Sequence, residues 1–324
     1  MNAVTVDHFS QPTPTQKVIF EYERQKYEIY IKRDDLIHPV VSGNKWRKLR
    51  YHPCFSDDFK AKCLVTMGGG YSNLVFALAY LAQWKGLKLK VFTSHRGEDT
   101  YLMDWCVKMG TEFIVVSRTA MRELREGKIS PTELVGDSEE LEWIPEGGGG
   151  NWSVRGVSEM VEEVRAALPG RPLRLAVAAG TGITSSIIAS LLPAHAELFI
   201  FPSVRSRRFD DFVKREIESK KKKEIDFQLL PYGVDKGMGN IEPEVVKFLY
   251  KFYIQTGILL DPFYNGKVLF ALAKNQLIDG DAPLVLIHSG GAQTWIGLSK
   301  KYPDNSQIHN LAAVYSKKLH GFFN

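Results

Sequence analysis

An α/β fold with mostly parallel strands is predicted by three observations. Short apolar segments of strand length alternate with helix-length segments along most of the chain. Glycine-rich turns follow three of the strands, at 68–70, 180–182 and 290–291. There is no internal repeat and no run of about 18 apolar residues, so neither a solenoid nor a membrane helix is expected. Helices between consecutive strands supply the crossovers that parallel strands need.

The elements follow in order. Pro12-Thr13-Pro14 reads as extended chain, and Glu28 to Lys32 alternates like a strand. Lys62 to Thr66 is a short apolar strand that runs into Gly68-Gly69-Gly70. A helix is expected from Asn73 to Lys85, with Ser72 as N-cap and Gly86 as stop. Leu87–Thr93, Thr100–Lys108 and Glu112–Val116 complete a βαβαβ run. Gly147 to Gly150 reads as a junction between lobes or as a flexible surface loop. Beyond it come a helix at Val157–Leu168, a strand at Leu173–Ala178, a helix through Leu192 and a strand at Glu197–Phe201. A polar helix to Lys221, a strand at Asp226–Leu230, helices near Pro243–Gln255 and Gly266–Gln276, and a strand at Leu284–His288 finish the pattern. The aromatic stretch Phe248 to Tyr253 is simplest as core.

Composition narrows the function classes. The 324 residues exceed the usual single-domain length, so two lobes or one large domain are expected. Hydrophobic content of 44% and charged content of 24% exclude wholesale disorder. Cys54, Cys63 and Cys106 cannot all pair and form no CxxC, which excludes a disulfide framework and suits a reducing cytoplasm. No basic stretch followed by an apolar core opens the sequence, so no signal peptide is expected. The histidines show no HxxxH spacing, so no metal is expected. Lys220 to Lys223 reads either as an anionic-surface patch or as the solvated end of a helix. No nucleic-acid-binding motif accompanies it, so no nucleic acid and no membrane are expected as partners.

Two segments could carry chemistry. Gly180-Thr181-Gly182-Ile183-Thr184 follows a strand and opens a helix, where bare N–H groups and the positive dipole end suit a phosphate. It is neither a Walker loop nor a dinucleotide fingerprint, because no Gly-Lys-Ser/Thr follows and Ser185 replaces the third glycine. The alternative is an ordinary tight turn. In Ser42-Gly43-Asn44-Lys45-Trp46-Arg47-Lys48, Lys45 could be a covalent amine. An ordinary lysine is neutral in only about one molecule in 2,500 at pH 7. Desolvation and the neighbouring cations Arg47 and Lys48 would raise that fraction. The alternative is three surface charges. Asp34-Asp35 reads as a turn or salt-bridge element, and His288 as a hydrogen-bonded core histidine. No GxSxG elbow supports a serine hydrolase.

These segments resemble the 1-aminocyclopropane-1-carboxylate (ACC) deaminase / D-cysteine desulfhydrase family. The resemblance is carried by Ile31 to Leu36, Ser42 to Leu49, Gly68-Gly69 with Ser72-Asn73, Gly180 to Thr184, Asp261 to Lys267, and His288 to Gly291. It spans roughly residues 12 to 297. It implies a two-lobed, pyridoxal 5'-phosphate (PLP)-dependent fold of the tryptophan synthase β-like type (fold type II). The large lobe would hold residues 1–51 and 156–324, and a small α/β lobe residues 52–155. It also implies a homodimer acting on a small amino acid.

The resemblance implies roles by residue. Lys45 would bond to PLP and move the substrate Cα proton. Lys48 and Gly180, Thr181, Gly182, Ile183 and Thr184 would hold the phosphate. Asn73 would bond the phenolic oxygen, and Tyr264 would lie against the ring as acid or base. Asn265 would sit beside the pyridine nitrogen. Ser72, Asn73, Met238 and Ser289 would meet the substrate. The expected reaction is α,β-elimination, from D-cysteine to pyruvate, sulfide and ammonia. Alternatives are ACC deamination, or a PLP-binding relative with a different amino-acid substrate or racemase-like activity. Deaminases of the family carry Glu where this chain has Asn265, Leu at Ser289, often Tyr at Met238 and Gln at Tyr71. Ser289 fits the desulfhydrase branch and Asn265 fits neither branch, and together the departures disfavour ACC deamination and leave the exact substrate open. A neutral Asn265 is expected to support a protonated pyridine less than a carboxylate would.

Overall fold

The computed structural model describes residues 9–41, 43–56, 59–94, 100–136, 140–203, 207–220, 226–232 and 239–323. Ser42, Met238 and Lys221 to Lys223 lie outside them. In chain order the elements are β1 (Thr15–Tyr22), β2 (Gln25–Lys32), α1 (Asn44–Leu49), β3 (Cys63–Met67), α2 (Asn73–Lys85), β4 (Lys88–Thr93), α3 (Tyr101–Lys108) and β5 (Thr111–Val115). They continue with α4 (Arg118–Arg125), α5 (Pro131–Val135), β6 (Leu141–Trp143), α6 (Asn151–Ala167), β7 (Arg174–Ala179), α7 (Ile183–Leu191), β8 (Glu197–Pro202) and α8 (Arg207–Lys220). The last are β9 (Asp226–Leu229), α9 (Pro243–Thr256), α10 (Asn265–Lys274), β10 (Leu284–Ile287), α11 (Thr294–Lys301) and α12 (Ser306–Phe323).

The chain divides into two compact units. One holds Phe9 and residues 45–156, the other residues 10–44 and 157–324. The first is built on a parallel sheet in the order β5-β4-β3-β6. All five residues of β3 are buried, as expected for a strand covered on both faces. Helix α2 has the expected caps: Ser72 Oγ accepts from Val75 N, and Gly86 closes the helix in the left-handed region. Trp46 anchors α1 by stacking on Phe9 at 3.6 Å and meeting Phe55 edge-on.

The second unit is a six-stranded sheet in the order β1-β2-β10-β7-β8-β9. Side chains alternate between its faces with period two. Ala176, Phe199, Leu284 and Leu286 join one core, with α9 and α10 residues such as Val245, Phe252 and Leu269. Leu175, Val177, Leu198, Val285 and Ile287 join another, with Val161 and Val164 of α6 and Ile188 of α7. β2, β10 and β7 are parallel neighbours, so their carboxyl ends share one edge.

Several elements go beyond the sequence reading. β1 pairs antiparallel with β2 through a two-residue turn, Glu23-Arg24, in which both residues have positive φ (49° and 66°). Such turns usually take Asn-Gly, so Glu-Arg gives no hairpin signal. β6 has only three residues, too few for a period to show. Helix α6 starts at Asn151, six residues before the expected Val157. Helices α4, α5, α11 and α12 were also not anticipated.

Buried charge at the end of β2 is paired. Lys32 is fully buried, and its Nζ meets Glu163 Oε2 at 2.5 Å, Asp34 Oδ1 at 3.6 Å and both oxygens of Thr13. Asp35 accepts two hydrogen bonds from Arg33, at 2.8 and 2.9 Å. All three cysteines are buried and outside any disulfide. Burial pushes the Cys54 and Cys106 thiols up to about 12.

Desolvation raises the Asp35 carboxyl, but His288 and Arg33 outweigh it and hold it below the ordinary carboxylate value. A depressed carboxylate stabilises the fold above its unfolded pKa and ceases to do so as pH falls through the folded value. Asp35→Asn should therefore cost about 3 kcal/mol at pH 7. The loss, followed as melting temperature against wild type, should shrink as pH drops below about 4. An equal loss at every pH would refute this account.

Candidate active site

Three loops leave the shared carboxyl edge of β2, β10 and β7, where open α/β sheets bind ligands. The first follows β7. Gly182 there has φ of 75° and caps α7 without a side-chain hydrogen bond. A left-handed residue at this point suits glycine alone, and it leaves the first N–H groups of α7 uncovered by any capping side chain. Thr184 is buried, and Thr181 is half-buried beside it.

The second loop follows β2 and ends at Asn44. Asn44 Nδ2 lies 3.4 Å from Thr184 Oγ1, a long hydrogen bond to the β7 loop. Gly43 has φ of 58°, and a Cβ there would fall 1.9 Å from the carbonyl oxygen of Ser289. Only glycine allows this backbone approach. Lys45 is the next residue, so its Cα is one trans peptide, about 3.8 Å, from that of Asn44.

The third loop follows β10 and meets the start of α10. Asn265 is fully buried. Its Nδ2 donates to Asp261 Oδ2 at 2.5 Å and to Gly290 O at 3.1 Å. Its Oδ1 accepts from Ser289 N and Ser289 Oγ at 3.4 and 3.3 Å. Asp261, also buried, accepts from the backbone N–H groups of Phe263, Tyr264 and Asn265. Desolvation raises its carboxyl above the ordinary value, although these donors pull the other way. Tyr264 is half-buried, and its Cε1 lies 3.9 Å from where a Cβ on Gly180 would be. His288 Nε2 faces Leu259 O at 3.0 Å, while Nδ1 accepts from Gly290 N at 3.4 Å.

The other unit carries the remaining candidates. Lys45 is half-buried, and loss of hydration lowers its pKa to about 8. Lys48 is buried, donates to the carbonyl of Gly147, and is lowered further by desolvation and by the charge of Lys45. Lysines at 45 and 48 therefore lie one helical turn apart in water-poor surroundings, which favours a neutral amine and attracts an anion. Ser72 and Asn73 are half-buried at the start of α2, where Ser72 is the N-cap.

Thus Gly180–Thr184, Tyr264, Asn265 and Ser289 gather at one edge within a single unit, with Asn44 tied to them. Asp261, His288, Gly43 and Asn44 also shape this edge, though none was singled out as a site residue. Asp is common in turns that precede helices, but that preference alone does not name Asp261's partners.

The family model for "Pyridoxal-phosphate dependent enzyme" matches residues 6–290. The chain belongs to this family of pyridoxal-phosphate dependent enzymes. A D-cysteine desulfhydrase of Serratia proteamaculans is 28% identical, covering 89% of this chain and 93% of its own. A bifunctional D-cysteine desulfhydrase/1-aminocyclopropane-1-carboxylate deaminase of Arabidopsis thaliana is 26% identical, covering 86% and 76%. The crystal structure of an ACC deaminase homologue superposes with a TM-score of 0.71 at 25% identity, over 88% of this chain and 89% of that one. The fold is accordingly the two-sheet α/β fold of PLP-dependent fold type II enzymes, and PLP is the cofactor.

The residues fit that cofactor. Its phosphate needs bare N–H groups, which the start of α7 leaves uncapped, and its aldehyde needs an amine that is neutral near physiological pH. With a pKa of about 8, Lys45 is neutral in roughly one molecule in ten at pH 7. In the apoprotein, acylation of Lys45 by an amine-directed reagent should rise with a midpoint near pH 8, read by peptide mass spectrometry. A midpoint near 10 would show that Lys45 is not desolvated.

Proposed function

We propose that this enzyme is a PLP-dependent lyase that eliminates a β-substituent from a small amino acid. Its expected substrate is D-cysteine, which with one water yields pyruvate, sulfide and ammonia. The supporting observation is the hydrogen bond from Asn44 to Thr184, which ties the residue before a desolvated lysine to an open anion loop.

PLP, when bound, supplies an electron sink for the pair left at Cα when its proton departs. Lys45 Nζ would hold the cofactor through its aldehyde carbon. As a neutral amine, Lys45 would take the substrate's Cα proton, a task its lowered pKa suits. Gly180 to Thr184 and Lys48 bind the phosphate and fix the ring's position. Ser72 and Asn73, at the start of α2, meet the substrate carboxylate and the phenolic oxygen; the helix N-terminus favours both negative charges. The Tyr264 hydroxyl would pass a proton to the leaving sulfur. Ser289 would border the substrate. The Ser289 hydroxyl matches the desulfhydrase branch and favours D-cysteine over ACC. The buried, unbridged cysteines suit a reducing compartment, and we place the enzyme in the cytoplasm as a homodimer, as the family resemblance implies.

The test is 2-oxo acid release by PLP-loaded protein given D-cysteine, L-cysteine or ACC in parallel. Pyruvate and sulfide from D-cysteine, lost by at least about 10³-fold in Lys45→Ala, is the expected result. Release from ACC alone would replace this reading with deamination. Bound PLP that turns over none of the three would refute both.

A further inference from the structure

We propose that Asp261 is a positioning residue that acts through Asn265 to keep the ring nitrogen of bound PLP protonated. The inference rests on the cofactor placement proposed above. The family resemblance puts a neutral amide beside that nitrogen, where a weak electron sink would be expected. The structure puts a carboxylate one hydrogen bond behind the amide.

An asparagine side chain can meet a ring nitrogen with either end. Its Nδ2 would donate to an unprotonated pyridine, whereas its Oδ1 would accept from a protonated one. Which end is presented therefore sets the protonation state. Here both Nδ2 hydrogens are taken, by Asp261 Oδ2 and by Gly290 O. The reversed amide would set Oδ1 against that carboxylate and that carbonyl, two acceptor–acceptor contacts in a fully buried position. The oxygen end is thus the one left over. Its contacts with Ser289, at 3.3 and 3.4 Å, are long and therefore weak, so a charged donor would displace them.

Asp261 is held in turn. Three consecutive backbone N–H groups donate to it, so it cannot rotate away from Asn265 without uncapping α10. A short hydrogen bond to a carboxylate also polarises the amide and makes Oδ1 a better acceptor. A neutral Asn265 thereby does the work of a charged residue, and the carboxylate stays out of the substrate's reach.

The test uses the holoenzyme loaded with PLP labelled with 15N at the ring nitrogen. Borohydride reduction of a parallel sample, followed by peptide mapping, reports attachment at Lys45. Wild type should give a nitrogen resonance in the pyridinium range at pH 7.5. Asp261→Asn should move it downfield to the unprotonated range while the Lys45 adduct persists. Asp261→Asn also weakens a helix cap, so Asn265→Ala, which leaves the cap of α10 intact, provides the second arm and should give the same shift. An unprotonated nitrogen in wild type overturns the proposal, as does a protonated one in Asn265→Ala. An absent Lys45 adduct in wild type would instead overturn the proposed function, and this inference with it.

Discussion

The backbone at Gly43 can lie against the carbonyl of Ser289 because glycine has no Cβ to intervene. That contact joins the loop after β2 to the loop after β10. Asn44 then reaches Thr184 in the loop after β7. Three carboxyl-end loops are thereby laced together through two adjacent residues, and Lys45 leaves from that knot. The parallel pairing of β2, β10 and β7 is what brings their ends to one edge. The rest of the sheet, with apolar side chains alternating into two cores, keeps that edge in place.

Charge is handled differently on either side of Asn44. At the end of β2, buried ions are paired: Lys32 with Glu163 and Asp34, and Arg33 with Asp35. Such pairs roughly repay the cost of removing both ions from water. Lys45 is treated in the opposite way, since desolvation dominates its environment and lowers its pKa. The same chain thus gives one buried lysine carboxylate partners and leaves another in surroundings that drive it toward the neutral amine.

The fold was legible where its period was strong. Strands β3, β4, β7, β8 and β10 and helix α2 with both caps could be read from apolar runs and turn residues. The β1–β2 hairpin could not, because Glu23-Arg24 adopts a conformation those residues rarely take. β6 is too short to show a pattern. At the site, the anion loop and Lys45 carried local signals: small residues before a helix, and a lysine among cations. Asn265 was visible only through family resemblance. Its tie to Asp261 depends on a turn that folds four residues back on themselves, which no local pattern reports. Likewise, the meeting of Gly43 with Ser289 joins positions far apart in sequence, and only the strand order brings them together.

Burial also decides how the cysteines meet oxidants. Polysulfides and peroxides modify a protein thiol most readily where thiolate is present and open to solvent. With thiols raised to about 12, Cys54 and Cys106 are ionised in roughly one molecule in 100,000 at pH 7. Cys63 is wholly enclosed in β3. The three thiols are therefore poor targets for oxidation in the folded protein, and they serve as packing.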